Sequence, residues 1–308
     1  MTSLVCGGRD GRLQRWQFAT GENASGWEAT ASAIADGSSI MGIACSANGL
    51  WVATGSYEDL IHVWHANTLS IQAELAGHES SVRCVAFGKQ ESEGCLVSGS
   101  DDETIRVWRD WGSDKENREE VRLEPQSGCI HSVVFNPEGD RLAAGTNKGS
   151  IWVWGATAWD VIYRVDSGSA VFGGVRFAMD KLVSAHQDKT CRVWPVPASP
   201  ATSSAMPLAQ SHASKRLVEF VTSNEQGSIA ATVGDDAKVV VWKLPDLERI
   251  HVLEGHKDWV LGAAFSKDGS TLATASKDGT VRLWDVESGE CKSILDAIGE
   301  LACAAFMD

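Results

Sequence analysis

Residues 255–285 read GHKDWVLGAAFSKDGSTLATASKDGTVRLWD, and this stretch contains the pattern that decides the fold. An apolar run from Val260 to Phe265 is followed by a polar turn, a second apolar run, another turn and a third run that ends at Trp284. Alternation with β-branched residues is typical of strands, and Asp278-Gly279 between two such runs is typical of a hairpin turn. The stretch therefore predicts three consecutive antiparallel strands.

Trp284, which ends the third of these runs, recurs as an equivalent Trp along the chain at intervals of 40 to 48 residues. Each copy closes a run of alternating apolar residues, and a fourth run follows it, as at Glu290 to Leu295. Four strands in a unit of about 44 residues are the signature of a propeller blade. A helical solenoid would need long segments with an apolar period of 3.6 residues, and the chain shows none. The recurring residues are Trp16, Trp64, Trp108, Trp154, Trp194, Trp242 and Trp284.

The chain resembles the WD40-repeat family, because two of its repeats carry the full motif of that family. One runs from Gly77-His78 to Asp102 and Trp108, and the other from Gly255-His256 to Asp278 and Trp284. The resemblance covers essentially the whole chain and implies an all-β, seven-bladed WD40 β-propeller with four antiparallel strands per blade. It identifies no individual member and says little about function, because many unrelated activities use this scaffold.

The chain begins inside a blade and ends with the strand that this blade lacks. Leu4 to Gly8 has the pattern of a second strand, and Leu301 to Phe306 has that of a first strand. We expect the two ends to share one closing blade, formed by residues 1–33 and 300–308, so that residues 1–308 make a single propeller domain. Such closure leaves no broad unpaired sheet edge.

Composition argues against several classes of protein. No apolar stretch approaches 18 residues and the N-terminus lacks a signal-peptide pattern, so neither a membrane span nor secretion is expected. The eight Cys are scattered without a CxxC pair, which favours reduced thiols in a cytoplasmic or nuclear protein. A formal net charge of −14 disfavours nonspecific binding to nucleic acid. No cofactor or metal site is expected, because the single His residues lack metal-ligand spacing.

Two sets of His, Ser, Asp and Trp residues could suggest nucleophilic catalysis. The same arrangement occurs in both sets, however, and a catalytic site rarely repeats inside one domain. The family resemblance implies instead a structural network in each of these blades, in which His bridges Asp and Ser and the Trp N–H is the terminal donor. Buried polar groups need such partners. The two sets are His78, Ser100, Asp102 and Trp108, and His256, Ser276, Asp278 and Trp284.

The resemblance also implies that partners bind at the narrower end of the propeller, around the mouth of the channel. It suggests three positions per blade: the residue before the turn Asp, the residue before the first strand, and the residue two further on. For the last two positions it gives Val171 and Gly173 in the fifth blade, and Arg216 and Val218 in the sixth. Trp259 is the strongest single candidate, because Trp is a common interface residue and this one is not a repeat anchor. We expect it to bind a partner together with Tyr57, Arg83, Met41, His131, Asp101, Asp235 and Lys277.

Three functions remain open on the sequence alone. The first is a non-enzymatic scaffold, monomeric by itself, that binds protein or peptide partners on the propeller faces. The second is an adaptor or substrate receptor in a larger regulatory complex, such as a ubiquitin ligase or a chromatin or trafficking assembly. The third is an enzyme with a site in the channel, for which no catalytic set is visible outside the two structural networks. Two insertions, at 109–120 and 195–215, break the spacing, and the second is rich in Pro, Ser and Ala and predicts a flexible loop.

Overall fold

A computed structural model describes residues 3–19, 26–35, 37–88, 95–109, 111, 120–197, 201–202 and 206–307. Within these ranges the regular elements are all β-strands, and they form seven sheets with four antiparallel strands each. One sheet carries a fifth, parallel strand at its outer edge. The predicted all-β, seven-bladed propeller is therefore confirmed. None of the described segments is a helix with the length and apolarity that a membrane crossing needs.

The strands follow one another blade by blade, each blade running from an inner strand at the channel to an outer strand. Blade one holds β1 (Ser3–Gly8), β2 (Arg12–Phe18) and β3 (Trp27–Ile34). Blade two holds β4 (Ile40–Cys45), β5 (Trp51–Ser56), β6 (Ile61–His65) and β7 (Ile71–Leu75). Blade three holds β8 (Val82–Phe87), β9 (Leu96–Ser100), β10 (Ile105–Trp108) and β11 (Glu120–Leu123). Blade four holds β12 (Ile130–Phe135), β13 (Arg141–Thr146), β14 (Ser150–Gly155) and β15 (Val161–Asp166).

The remaining strands complete the ring. Blade five holds β16 (Val175–Ala178), β17 (Lys181–Ala185), β18 (Thr190–Pro195) and β20 (Ala209–His212), while β19 (Ala201–Thr202) joins blade four. Blade six holds β21 (Val218–Ser223), β22 (Ile229–Gly234), β23 (Lys238–Lys243) and β24 (Glu248–Glu254). Blade seven holds β25 (Val260–Phe265), β26 (Thr271–Ser276), β27 (Thr280–Asp285) and β28 (Cys291–Asp296). The last strand, β29 (Leu301–Met307), is the inner strand of blade one.

The ring closes where the two ends of the sequence meet. Strand β29 pairs antiparallel with β1, with Ser3 opposite Met307 and Cys6 opposite Ala304. The inner strands also contact one another around the channel in the order β29, β4, β8, β12, β16, β21, β25 and back to β29. The predicted shared blade is therefore confirmed, and the pairing of β29 with β1 is held by backbone hydrogen bonds rather than by a continuous chain.

The hydrophobic core lies between neighbouring blades rather than in one central mass. A typical cluster joins Ile61 and Val63 of blade two to Val82, Leu96 and Trp108 of blade three. The seven anchor Trp side chains are at most 4 % exposed, and each fills one of these inter-blade spaces. Since truncation of a buried Trp side chain to Ala costs about 3–5 kcal/mol, the anchors contribute strongly to the packing between neighbouring blades.

Small residues on the inner strands let neighbouring blades approach closely. A β-carbon added to Gly42 on β4 would lie 2.8 Å from the carbonyl oxygen of Arg83 on β8. A β-carbon added to Gly262 on β25 would lie 2.7 Å from Cα of Cys303 on β29. Both distances are shorter than any comfortable contact, so these two positions accept only glycine without a shift of the inner ring.

The two insertions differ in what the structure describes. Most of 109–120 lies outside the described residues, but Trp111 is buried and its ring lies 5.2 Å from that of Trp51 on blade two. Part of 195–215 also lies outside the described residues, and the prediction of a flexible loop is not tested there. Elsewhere the same insertion supplies β19, which pairs in parallel with Tyr163 and Arg164 of β15, and β20.

Candidate functional site: the channel and its mouth

Five anchor Trp side chains donate a hydrogen bond to a hydroxyl on the neighbouring second strand. The indole Nε1 of Trp108 lies 2.9 Å from Ser98 Oγ, and that of Trp284 lies 2.8 Å from Thr274 Oγ1. In every case the hydroxyl belongs to the residue ten positions before the Trp, which we call the hydroxyl position. The remaining hydroxyls are those of Thr54, Ser184 and Thr232.

The two predicted His networks form, but the prediction that Ser100 and Ser276 bridge them is wrong. His78 Nε2 lies 2.7 Å from Ser98 Oγ, and His256 Nε2 lies 2.8 Å from Thr274 Oγ1. Side chains at every second strand residue share a face, so Ser98 and Ser100 point the same way, and only Ser98 lies within reach of the indole. Ser100 and Ser276 instead accept a hydrogen bond from the amide of the following Asp, Asp102 or Asp278.

The Asp residues complete both networks at the edge of the mouth. Asp278 Oδ2 lies 2.9 Å from His256 Nδ1 and also accepts the amide N–H of Lys257, again at 2.9 Å. Burial alone would raise the pKa of Asp278, but the hydrogen bonds from Lys257, Thr280 and His256 outweigh it and hold the pKa well below its usual range. A neutral imidazole with its proton on Nδ1 donates a hydrogen bond to the Asp carboxylate and accepts the hydroxyl proton at Nε2. The hydroxyl oxygen then accepts the indole N–H of the Trp, so every polar group in the network has a partner.

Burial also decides what these networks can do chemically. Ser98 and Thr274 are 0 % exposed, and the imidazoles of His78 and His256 are equally enclosed. A substrate atom cannot approach within 3–3.5 Å of a hydroxyl that contacts no solvent. The two networks therefore stabilise the blades, and their Ser-His-Asp appearance carries no nucleophilic chemistry.

Blade five carries a third network that the spacing of His residues did not reveal. His186 lies on the second-strand side of the turn rather than in the loop before the blade, and its Nε2 lies 2.7 Å from Ser184 Oγ. The same hydroxyl accepts the indole N–H of Trp194 at 2.7 Å. Burial, followed by the charge of Arg192, lowers the pKa of His186 to about 4, so the imidazole is neutral at pH 7.

One backbone hydrogen bond repeats in all seven blades and defines the mouth of the channel. In each blade the residue before the turn Asp, or before its replacement, donates its N–H to the carbonyl of a residue just before the inner strand, at 2.9–3.1 Å. We call these residues the mouth ring. The pairs, donor first, are Arg9–Glu300, Tyr57–Ser39, Asp101–Ser81, Asn147–Cys129, Gln187–Ala170, Asp235–Leu217 and Lys277–Trp259.

The mouth ring shows that the predicted register is wrong by one residue in blades five and six. The ring contains Ala170 and Leu217 where the sequence predicted Val171 and Arg216. The channel is lined by Phe172 and Glu219 in these blades, and Val218 does not line it. Val171 and Val218 are fully buried, because they fill inter-blade space as Val82 and Val260 do in blades three and seven.

The eight predicted partner-binding residues all lie at this end of the propeller. Trp259, Tyr57, Asp235, Asp101 and Lys277 belong to the mouth ring, while Met41, Arg83 and His131 line the channel just inside it. Trp259 is 36 % exposed and Tyr57 is 60 % exposed, so these two aromatic rings are open to solvent. The predicted surface thus combines residues of the mouth ring with residues of the channel wall just inside it.

Trp259 contacts the ammonium of Lys277, which in turn contacts the carboxylate of Glu300. Lys277 Nζ lies 5.2 Å from the centre of the Trp259 ring, which is the geometry of a cation–π contact. The same ammonium lies 3.8 Å from the carboxylate of Glu300, which belongs to the mouth-ring pair of blade one. The Trp259 ring is therefore held in place by a cation that is itself shared with a carboxylate.

A second group of contacts lies on the opposite wall, in blades three to five. Arg83 Nε and Nη2 both contact the carboxylate of Asp101, at 2.7–2.9 Å, in a two-point ion pair. The His131 ring lies 4.6 Å from the ring of Phe172, edge to face. Burial, followed by the charge of Arg83, lowers the pKa of His131 to about 4. This wall is therefore apolar and neutral around His131 and charge-balanced around Arg83.

The sequence missed Glu219, which faces the channel beside Asp235. Burial raises the pKa of Glu219 to about 7, and the hydrogen bond and negative charge of Asp235 act in the same direction, against the smaller effect of Arg9. The signal that could have revealed it is an acidic residue directly after the apolar residue that begins an inner strand, where other blades carry Met41, Arg83 or His131.

The raised pKa of Glu219 predicts a pH dependence of stability. Between pH 4.5 and about 7 the folded chain retains a proton on Glu219 that the unfolded chain has lost, so this residue makes stability fall as pH rises through that window. The lowered pKa values of His131, His186 and His256 act in the opposite direction, because their unfolded forms bind the extra proton. The informative quantity is therefore the melting temperature of Glu219→Gln minus that of the wild type, which we expect to increase from pH 5 to pH 8. A difference that stays constant over this range would contradict the assignment.

The walls of the channel enclose a cavity of about 800 Å³ between its mouth and its lower half. Its lining is mixed, with aromatic, glycine and charged residues from all seven blades. Within the described ranges, no three His, Cys, Asp or Glu side chains gather as a bound metal ion would require.

Comparison with known proteins agrees with this architecture. Four stretches of the chain match the family model described as WD domain, G-beta repeat, at residues 31–65, 69–109, 119–155 and 247–285. The chain is 25 % identical over 259 residues to the nuclear distribution protein nudF of Aspergillus niger, covering 77 % of this chain and 57 % of that protein. It is 22 % identical over 254 residues to protein FIZZY-RELATED 2 of Arabidopsis thaliana, covering 80 % and 50 %.

A further relative is the small ribosomal subunit protein RACK1y of Oryza sativa subsp. japonica. It is 24 % identical over 212 residues, covering 68 % of this chain and 49 % of that protein. The chain thus spans about half the length of these relatives. The similarity lies in the repeats, and it carries no assignment of individual residues.

Proposed function

This chain is a member of the WD40-repeat family, and we propose that it is a non-catalytic scaffold that binds a protein or peptide partner at the mouth of its channel. The observation that carries this proposal is Trp259, whose solvent-exposed side chain lies on the mouth ring and is not one of the seven Trp anchors of the repeats. Aromatic side chains with nearby charged groups are the residues that most often dominate binding energy at protein interfaces.

The proposed surface is the arc of the mouth ring that runs through blades seven, one, two and three. It contains two open aromatic rings, Trp259 and Tyr57, separated by the pair Arg9–Glu300. At its far end lies the ion pair of Arg83 with Asp101. Because positive and negative groups alternate along this arc, it favours a partner segment that is partly aromatic or apolar and that carries both charges.

A second candidate function is that of an adaptor subunit within a larger assembly. It is favoured by one relative, RACK1y, whose name describes it as a protein of the small ribosomal subunit. An adaptor would use the mouth and the outer strands at the same time. Size-exclusion chromatography of the native complex distinguishes the two, since a stoichiometric assembly of many subunits is expected only for the adaptor.

The lack of disulfides among the described residues supports a cytoplasmic or nuclear location. The eight Cys lie within the described ranges and form no disulfide, and five of them are buried. Burial raises the pKa of Cys84, Cys191 and Cys303 to about 12, which keeps these thiols protonated and unreactive at neutral pH.

The binding proposal predicts that Trp259→Ala weakens partner capture. Affinity purification with the full chain would compare wild type, Trp259→Ala and Arg83→Glu, followed by a dissociation constant for each captured partner. We expect Trp259→Ala to weaken binding by a factor of about 30, as the loss of roughly 2 kcal/mol at an interface hot spot implies.

A matched control is available at the other end of the propeller. Leu50 is 46 % exposed in the turn between β4 and β5, whereas Tyr57 lies in the turn at the opposite end of β5. Leu50→Ala therefore also removes an exposed apolar side chain, but away from the mouth, and should leave capture unchanged. If the partners survive both mouth substitutions, the proposed surface is wrong.

A further inference from the structure

One inner-strand position differs in a single blade from all the others. It is the inner-strand residue that pairs with the second-strand residue immediately before the hydroxyl position. In six blades this residue is small or β-branched, and in blade five it is an arginine. The residues are Ala44, Ala86, Val134, Thr222, Ala264 and Ala305, and Arg176 in blade five.

The guanidinium of Arg176 faces the channel cavity and is fixed by two contacts. Its Cζ lies 4.7 Å from the centre of the Phe220 ring on the adjacent blade, and its Nη1 donates to the carbonyl of Val175 at 2.8 Å. The stack with Phe220 fixes the plane of the guanidinium, and the single backbone bond occupies only one nitrogen. The other two nitrogens, Nε and Nη2, remain available to an acceptor in the cavity.

No carboxylate among the described residues forms an ion pair with Arg176. Nearer the mouth, Arg83 is paired with Asp101, and Glu219 lies beside Asp235. The titratable group that acts on the pKa of Arg176 is the thiol of Cys84, whose own pKa is raised to about 12 by burial, so it is neutral at pH 7. Burial lowers the pKa of Arg176 to about 10, which still leaves it fully charged at pH 7. A cation is therefore held inside the channel without a counter-ion from the part of the chain that the structure describes.

We propose that Arg176 is the centre of an oxyanion-binding site in the channel, which accepts one carboxylate or phosphate group. A planar guanidinium with two free N–H groups matches the two oxygens of such an anion. The hydroxyl of Thr222 lies at the same register on the adjacent inner strand, and Ser132 also lines the cavity. The Ser132 hydroxyl accepts the amide N–H of Val175, which leaves its own proton free to donate.

The site suits a single anionic group rather than a polyanion. The formal net charge of −14 repels a polyanion such as nucleic acid at long range, whereas one oxyanion is balanced locally by the guanidinium. Two sources can supply such a group: a free small anion that enters the cavity, or an acidic side chain of a peptide inserted from the mouth. This site is independent of the proposed function at the mouth, since Arg176 is not a residue of the mouth ring.

The test is titration calorimetry with the full chain at constant ionic strength and pH 7, with chloride as the background anion. The probes are inorganic phosphate and a capped Gly-Gly-Glu-Gly-Gly peptide, with the Gln version of the peptide as a neutral control. We expect saturable binding of at least one anionic probe to the wild type, and a loss of at least tenfold in affinity in Arg176→Gln. Phosphate binding alone indicates a free anion, and tighter binding of the Glu peptide indicates an inserted side chain.

Arg164→Gln is the matched control. Its guanidinium also stacks on an aromatic ring, with Cζ 4.6 Å from the ring centre of Trp152, but it is exposed on the outer strand β15. This variant removes the same charge and the same kind of contact, and we expect its affinity to stay within twofold of the wild type. Arg176→Lys, which keeps a cation without the two-nitrogen fork, provides a milder variant with an expected loss of at least threefold.

Two results would overturn the proposal. One is the lack of saturable binding of either anionic probe to the folded wild type. The other is equal affinity in the wild type, Arg176→Lys and Arg176→Gln, with circular dichroism confirming that the variants are folded. Neither result bears on Trp259, whose substitution is expected to leave phosphate binding unchanged, so failure of this site and failure of the mouth surface are separate outcomes.

Discussion

Removal of residues 300–308 is expected to destabilise the chain by roughly 5–10 kcal/mol, which is comparable to the whole stability of an ordinary domain. The deletion takes away β29, which buries Leu301 and Met307 and pairs along the full length of β1. It also removes the contacts that β29 makes with the inner strands β4 and β25 on either side. Thermal unfolding followed by circular dichroism measures the effect directly.

A synthetic peptide of residues 300–308 provides the control for this deletion. Added in excess to the shortened chain, it should restore part of the melting temperature by occupying the vacant edge of β1, whereas a scrambled peptide should not. A shortened chain that melts at the wild-type temperature would show that closure through β29 contributes nothing to stability.

Substitution of Trp284 by Ala is expected to cost about 3–5 kcal/mol. The indole lies between blades six and seven and packs against Val239, Val241 and Leu272. Its removal leaves a large cavity and also removes the N–H donor of the hydrogen bond to Thr274. Chemical denaturation of wild type and variant measures the loss of free energy of unfolding.

The hydrogen-bonded part of this effect can be isolated at Thr274. Thr274→Val keeps the shape of the side chain but leaves both Trp284 Nε1 and His256 Nε2 without a buried partner, and should cost roughly 2–4 kcal/mol. Ser276→Ala removes only hydrogen bonds at the turn, to Asp278 and Asp258, and should cost roughly 1 kcal/mol. Equal losses in the two variants would argue against Thr274 as the bridging hydroxyl.

The sequence predicted the blades well because the residues that recur from repeat to repeat are those that pack in the core between blades. The predicted first strand from Val260 to Phe265 coincides with β25. The closing strand was also predicted to within one residue. Apolar alternation and recurring Trp are properties of single strands, so they can be recognised without knowledge of which residues pack against each strand.

The hydrogen-bond partners and the register of the site residues depend on contacts with other strands, so they were less predictable from the sequence. Ser98 and Ser100 are equivalent by alternation, and only the reach of the Trp108 indole distinguishes them. In blade five the segment before β16 contains Gly173 and Gly174, the latter at a φ of +84°, so the inner strand starts late and the counted register shifts. Arg176 escaped notice because its significance lies in Phe220 of the neighbouring blade. Glu219 escaped notice because its significance lies in Asp235, which the pairing of β21 with β22 brings beside it.

The blade that joins the chain ends has two weaknesses that coincide. Its inner strand is held without a covalent link to the next one, and its anchor, Trp16, has Cys6 at the hydroxyl position, so that the hydrogen bond found in five other blades has no counterpart there. Local opening follows the least stable cooperative unit of a fold. In amide hydrogen exchange, the amides of β29 and β1 should therefore exchange through a partial opening of the ring. The amides of β9 and β26 should exchange more slowly, only through global unfolding. The propeller would then behave as a clasped band that opens at one point, rather than as seven equivalent units.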